Sequence, residues 1–246
     1  MLRSSTRTSA SGAVVGPAMA AEYRSPGYRG GVLGFFSFTE VTDPSAHEAY
    51  NAWHQLDHLP EQFTLDGINF GMRWVRSPRC VGAEDACSPL LERFHYMTLY
   101  LMRDRSVLPE FDALAQRLRA EDRFFTARKA LLSGAFEVTG RWAAPRVAVS
   151  PAAVPFRPSE GVYVVVGPPV DGETLVAHEG VAGAWQFAHA SEGRHVTVAF
   201  VDGDLWTTAA TLGGLGWGAG GDPMWAGPLE GIDAFRWGWF ATLTPQ

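Results

Sequence analysis

The sequence predicts an α+β protein, two β-α-β-β-α-β units in one chain that close into a barrel with helices outside, the second unit having shortened helices. Three observations predict it. Apolar and aromatic runs of strand length are bounded by Gly, Pro and Asp; helical patterning falls between the first and second and between the third and fourth of them; and the second half of the chain restarts the order of the first. With 46% apolar and 19% charged residues in 246, the chain has material for one large buried core, and collagen, a charged disordered chain and a disulfide-dense mini-protein are excluded.

The first unit spans residues 30–142. GVLGFFSF from Gly31 reads as a buried strand. Thr42 or Asp43 caps the following helix with Pro44 at its first position, and Pro60 is expected to stop that helix near Leu59, because proline lacks an amide hydrogen. INFGMRWV after Asp66-Gly67 is the second strand, with Arg73, Gly71 and Val75 on one face and Met72 and Trp74 on the other. Arg93 to Met102 is the third, with Arg93, His95 and Met97 opposite Phe94, Tyr96, Thr98 and Tyr100. From Ser106 a helix buries Leu108, Phe111, Leu114, Ala115 and Leu118, which recur at spacings of three and four. Leu132 to Trp142 completes a ferredoxin-like unit, four antiparallel strands with both helices on one face.

Residues 143–159 read as an extended linker and 160–246 as a degenerate second ferredoxin-like unit. GVYVVVG from Gly161 mirrors the first strand, HVTVAFV from His195 the third and DAFRWGWF from Asp233 the fourth. Gly180 to Phe187 aligns with Gly67 to Trp74, setting Gln186 opposite Arg73. The first helix of this unit must be short, and glycines between Leu205 and Gly221 preclude a long second one. Five of nine tryptophans lie between Trp206 and Trp239, so this half is expected to supply apolar wall to a site carried by the first. A four-stranded sheet covered on one face leaves an apolar face open, and a second sheet is the simplest cover.

A net charge of −6, with no basic run, argues against nucleic acid, and no stretch of about 18 apolar residues could span a membrane. The expectation is a soluble, cytoplasmic protein, monomer or homodimer. Residues 1–29, rich in Ser, Thr, Ala and Arg, read as a disordered leader. Cys80 and Cys87 read as two loop thiols, with a loop-closing disulfide as the alternative in an oxidising compartment.

Chemistry concentrates in Asn51–Glu61. His54 and His58, four apart, share a helix face and serve either as a base and its partner or, less simply, as metal ligands; Pro60 throws Glu61 off that face, which disfavours metal. At a helix C-terminus the dipole would raise the pKa of His58. Arg73, if inward, is a permanent donor for an oxyanion; otherwise it pairs with Glu61 or Glu137. Trp53, Glu61, Trp74, Tyr96 and Tyr100 are candidate substrate contacts. His178, His189 and His195 have no matched partners. GGLGWGAGG from Gly213 lacks the Lys-Ser/Thr ending of a phosphate loop.

The run Asn51-x-Trp53-His54-x-x-x-His58-Leu-Pro60-Glu61, followed by Gly67-Ile68 and Arg73-Trp74, resembles the EthD-like branch of the dimeric α/β-barrel superfamily. Asp66-Gly67 stands where that family has Pro-Gly. The resemblance covers residues 31–142, and 160–241 only as topology. It implies that His58 borders a cavity between sheet and helices, in a superfamily of cofactor-free monooxygenases, polyketide cyclases, lactone isomerases, decarboxylases and haem enzymes. The expected function is therefore proton transfer by His58, assisted by His54, next to a carbonyl of a small apolar or aromatic ligand, with Arg73 on the oxyanion and no organic cofactor. The alternatives are a monooxygenase using the same pocket, a non-catalytic ligand-binding barrel, and a haem pocket built on a second-half histidine.

Overall fold

The computed structural model describes residues 33–215 and 222–232. In chain order it has β1 (Leu33–Val41), α1 (His47–Trp53) running through a π-helical turn at His54–His58 into α2 (Leu59–Gln62), β2 (Ile68–Val75), α3 (Pro78–Val81), β3 (Ala86–Cys87), β4 (Tyr96–Met102), α4 (Leu108–Ala120) and β5 (Arg128–Ala143). Then follow β6 (Gly161–Gly167), α5 (Gly172–Val176), β7 (Val181–His189), β8 (His195–Val201), α6 (Leu205–Gly213) and β9 (Trp225–Gly231). Eight strands close an antiparallel barrel in the order β2-β4-β1-β5-β7-β8-β6-β9, with β2 pairing β9 and the two-residue β3 added outside β9.

The seams explain how two sheets become one wall. β5 is 16 residues long; its first part pairs β1 from Arg128 to Glu137 and its last part pairs β7 from Phe136 to Ala143. The other seam is shorter, Trp74 and Val75 facing Gly231 and Glu230. Side chains that alternate inward fill the barrel. Phe36, Trp74, Met97, Leu99, Phe136, Val164, Trp185, Phe187, Val198 and Trp225 form one buried cluster, with Phe36 packed edge-on against Phe136 and Phe187. Truncating one of these to Ala costs about 3–5 kcal/mol for an aromatic.

Two glycines set the register of matching strands. Gly67 (φ 94°) precedes β2 and Gly180 (φ 93°) precedes β7, a backbone region where a side chain is strained. A Cβ at Gly67 would also meet Val107, and one at Gly180 would meet Thr208.

Several expectations are corrected. Pro60 does not stop the helix; the Leu59 amide reaches back to the His54 carbonyl, and this widened turn carries the chain past the proline to Gln62. The third strand starts at Tyr96, so the alternation does not extend back to Phe94, which joins the barrel interior with Met97 instead of sharing a face with Tyr96. The strand expected at Asp233–Phe240 lies outside the described residues, as do residues 1–29; the strand that closes the barrel is β9, whose Gly and Pro disguise it as loop. The second half places Trp185, Phe187 and Trp225 in the barrel interior rather than at a site wall. Cys80 is a buried and Cys87 an exposed free thiol. Among the described residues no helix is long and apolar enough to cross a membrane.

Candidate functional site

Outside the barrel wall, between α1–α2, α4 and the outward face of β4, β1 and β5, lies a cavity of about 280 Å³. Phe35, Tyr100, Phe111 and Phe124 give it aromatic walls; His54, His58, Gln62, Ser37, Thr98 and Arg128 give it polar ones. Exposed Asp112, Gln116, Arg119, Ala130 and Ser133 form its mouth. Every lining residue comes from the first half.

The helix presents its histidines because α1 is amphipathic in an unusual sense. His47, Asn51, His54 and His58 follow one another at spacings of four, three and four, and all are buried. The Asp43 carboxylate accepts the Ser45 amide and starts the turn that leads in, as the sequence predicts. His54 is 3% and His58 7% exposed, their rings 5.1 Å apart, so His54 does not face solvent. Trp53 stacks on His58 at 4.6 Å, held by its indole N–H donating to the Arg123 carbonyl, and Phe124 meets the same imidazole edge-on. Nδ1 of both histidines, Oε1 of Gln62 and the Tyr100 hydroxyl are buried without a hydrogen-bond partner among the described residues. Each such atom costs about 1–3 kcal/mol unless water or a ligand meets it, and four of them gather in this one place.

Electrostatics reverse one expectation. His58 is not at a helix C-terminus, and its pKa falls to about 3: burial is the largest cause, the Arg128 charge adds to it, and Asp57 opposes it. His54 is likewise held well below the usual range, by burial first and then by the Arg73 charge. Both imidazoles are therefore neutral at physiological pH, and the phenol of Tyr100 is held protonated by burial.

Arg73 is 2% exposed and packs behind His54 without lining the cavity. Its partner is neither Glu61 nor Glu137. Nη2 donates to Asn51 Oδ1 at 2.8 Å, and the guanidinium lies 5.3 Å from the ring centres of both Tyr50 and Tyr96. Asn51 in turn donates to the Tyr96 hydroxyl, which also bonds His47 Nδ1. Tyr96 thus belongs to a buried polar network under the helix, not to the cavity lining. Trp74 points into the barrel, away from the site, and Glu61 is taken up by Arg123 at 2.7 Å, so neither contacts the cavity.

The partly buried guanidinium that does reach the cavity is that of Arg128, at the first residue of β5, over the rings of Phe124 (4.5 Å) and Trp53 (5.5 Å), with exposed Arg119 at the mouth. Sequence reasoning passed over it, since an arginine opening a strand carries no local signal of burial. The His47–Asn51–His54–His58 spacing was a signal that did exist for the polar network. Among the described residues no group of three His, Cys, Asp or Glu side chains converges as a metal site. The cavity is too small for a tetrapyrrole, and on the corresponding outer face of the second half the described residues Trp142, Leu175, Val176 and Leu212 pack against one another, so these residues do not fit haem.

No protein-family model matches the chain, and no curated protein sequence does. Solved structures of similar shape include two enzyme-like proteins, by their descriptions. A protein described as a candidate chlorite dismutase is 11% identical, with 87% of this chain and 99% of that one aligned at a TM-score of 0.50. A candidate monooxygenase from Lactobacillus acidophilus is 7% identical, with 82% of this chain and 98% of that one aligned at 0.40. The first likeness is one of fold, and agrees with a ferredoxin-type barrel.

Proposed function

We propose that the protein is an enzyme that removes and returns a proton at a carbon beside a carbonyl, or on a phenolic ring, of a small compound held in this cavity. The observation that carries the reading is the pair of buried neutral histidines with unpartnered ring nitrogens, opening on aromatic walls beside a guanidinium. A neutral imidazole is ready to accept a proton at any pH above about 3. Forming the imidazolium costs roughly 5 kcal/mol, because burial and the nearby guanidiniums hold the pKa of His58 down to about 3. An enolate formed beside it offsets that cost, because it faces the same arginine charges that disfavour the cation. The proton goes from carbon to His58, the electron pair to the carbonyl oxygen near Arg128, and the imidazolium returns the proton at a different atom. Cyclisation and isomerisation pass through such an enolate, and a decarboxylation reaches one by loss of CO2, after which a proton is delivered to the carbon. Arg73 serves as a positioning charge that keeps His54 neutral, a revision of the direct oxyanion contact expected from the sequence.

The same reading extends to organisation. We take residues 30–142 and 160–246 as diverged copies of one ferredoxin-like unit, and the first copy as related to the EthD-like branch. Supporting this, Arg73 pairs with Thr98 across β2–β4, and Gln186, six residues after its own positive-φ glycine as Arg73 is, pairs with Thr197 across β7–β8.

The test is hydrogen exchange. Cyclic β-diketones and polyhydroxylated aromatics incubated with the protein in D₂O should exchange carbon-bound hydrogen faster than in buffer, read by NMR. His58→Gln should lose about 10²–10⁴-fold of that acceleration with its circular dichroism spectrum kept. Exchange at the buffer rate across the compounds, or undiminished in His58→Gln, would sink the reading.

A further inference from the structure

Arginine is the chain's nearly universal cation, and most of its guanidiniums are matched to carboxylates. Arg76 pairs with Glu84, Arg93 with Glu40, Arg103 with Asp66, Arg105 with Glu137, Arg123 with Asp57 and Glu61, and Arg146 and Arg157 with Asp202. Of the described arginines for which no ion pair is formed, Arg79 lies over Trp206 in the second half, Arg73 is buried behind His54, and Arg119 and Arg128 line the cavity beside the histidines. Asp112 is the sole carboxylate among the lining residues, and it sits exposed at the mouth beyond ion-pair distance of Arg119 and Arg128.

The geometry of Arg128 adds to the imbalance. Its flat face lies over Phe124 and Trp53, so attraction to the rings holds the group in place, while the Tyr50 hydroxyl, and no described carboxylate, lies within reach of the donors that radiate in its plane. Arg119 lies over Phe124 at 4.2 Å, bringing a second guanidinium to the same ring from the mouth. Like charges set this close are mutually unfavourable, and an anion between them relieves both. The volume, about 280 Å³, is nearly twice the ~150 Å³ of an apolar cavity that takes a benzene, which leaves room for one substituted ring or two fused ones.

We infer that the cavity selects an aromatic carboxylate: the ring lies between Phe35, Tyr100, Phe111 and Phe124, and the carboxylate takes the in-plane donors of Arg128, with Arg119 closing over it from the mouth. The carboxylate would bridge an inner and an outer cation that otherwise repel. This rests on the cavity being a small-molecule site, as proposed above, but not on the proton transfer itself.

Binding of 2-naphthoate and of its neutral isostere 2-naphthamide, followed by quenching of tryptophan fluorescence and by calorimetry, tests it. The carboxylate should bind at least tenfold more tightly than the amide, and its binding, unlike that of the amide, should weaken as salt rises. Arg128→Gln should cost the carboxylate at least tenfold and the amide less than twofold. Arg119→Gln, a surface change that spares folding, should cost the carboxylate two- to fivefold. Equal affinity for the two compounds, absence of naphthoate binding at millimolar concentration, or equal losses for both in Arg128→Gln would overturn the inference, the last by making Arg128 a packing residue. Naphthoate binding without hydrogen exchange on any compound would leave the inference standing and remove the enzymatic reading.

Discussion

The outer faces of the two halves of the barrel share a strand order and end in opposite states. On the second-half face Gln186 pairs with Thr197 and is fully occupied: its Nε2 donates to the Val170 carbonyl at 2.7 Å, and its Oε1 accepts from Thr139. Trp142, Leu175, Val176 and Leu212 close over this region as a continuous apolar layer. On the first-half face Arg73 pairs with Thr98, and its Nε and Nη1 have no hydrogen-bond partner among the described residues. Above it stand two neutral histidines and a cavity. One face has been optimised for packing; the other retains uncompensated polar groups whose cost only a bound molecule or water removes.

The most disruptive way to break this contrast is to exchange the packing of the two faces. Ala115 on α4 lines the cavity, and Ala115→Trp would fill it as Trp142 fills the other side. Ligand binding and any exchange activity should fall more than 100-fold, with the thermal midpoint shifted by a few degrees at most. Trp142→Ala should do the reverse. The indole lies against Gly140 and Gly172, where a Cβ would collide with it, so its loss leaves a hole that the neighbouring backbone cannot fill. A destabilisation of about 3 kcal/mol, near 10 °C in thermal midpoint at the scale for this chain length, should leave first-half binding intact. If Trp142→Ala abolished binding too, the two faces would not be independent.

How far the sequence announced this difference depends on what kind of signal each residue leaves. Strands β1, β2 and β6 were legible because apolar runs bracketed by glycine are local, and the shortness of α5 followed from counting residues between matching landmarks. β9 was not legible: Trp225-Ala-Gly-Pro-Leu-Glu-Gly has the composition of a loop, and becomes a strand only because β6 and β2 offer it partners on both sides. The histidine pair was found by spacing, but its charge state was misjudged, since the widened turn and the helix beyond Pro60 remove the C-terminal dipole and leave burial in control. Arg128 left no trace at all. What sets it apart is that no described carboxylate pairs with it beside the cavity, and such a relation exists only once the chain is folded.

A smaller effect sharpens the comparison through acid stability. His58 has a folded pKa near 3 against about 6.5 unfolded, so between those values the unfolded chain takes up a proton that the folded one does not. Stability contributed by keeping this ring neutral is complete above pH 6.5 and falls by about 1.4 kcal/mol per pH unit on the way down. The groups facing His58 are His54, Asp57, Arg73, Arg119 and Arg128, together with the rings of Trp53 and Phe124. His58→Gln should flatten the acid limb of chemical-denaturation stability by close to one proton between pH 4 and 6. An unchanged slope in His58→Gln would mean that the imidazole is already hydrated and chargeable in the folded protein.

The smallest change concerns Arg73, which pairs with Thr98 in the first half as Gln186 pairs with Thr197 in the second. Arg73→Gln gives the first half the residue that the second half already has. Arg73 is buried with its charge, its pKa pushed down by burial, and a buried charge without a paired carboxylate is replaceable at little cost or with a gain in stability. Asn51 keeps a donor in the glutamine amide, so the network through Tyr96 to His47 survives. The expected stability change is within about 1 kcal/mol in either direction. The informative readout is the His54 titration by NMR: Arg73 is the largest charged contributor to its depressed pKa, so the variant should move that pKa upward while burial still holds it below 6.5. A His54 pKa that does not move would show that burial alone keeps the ring neutral. The arginine would then have no part in holding His54 neutral, and the polarity of the first face would depend on Arg128 and the histidines without it.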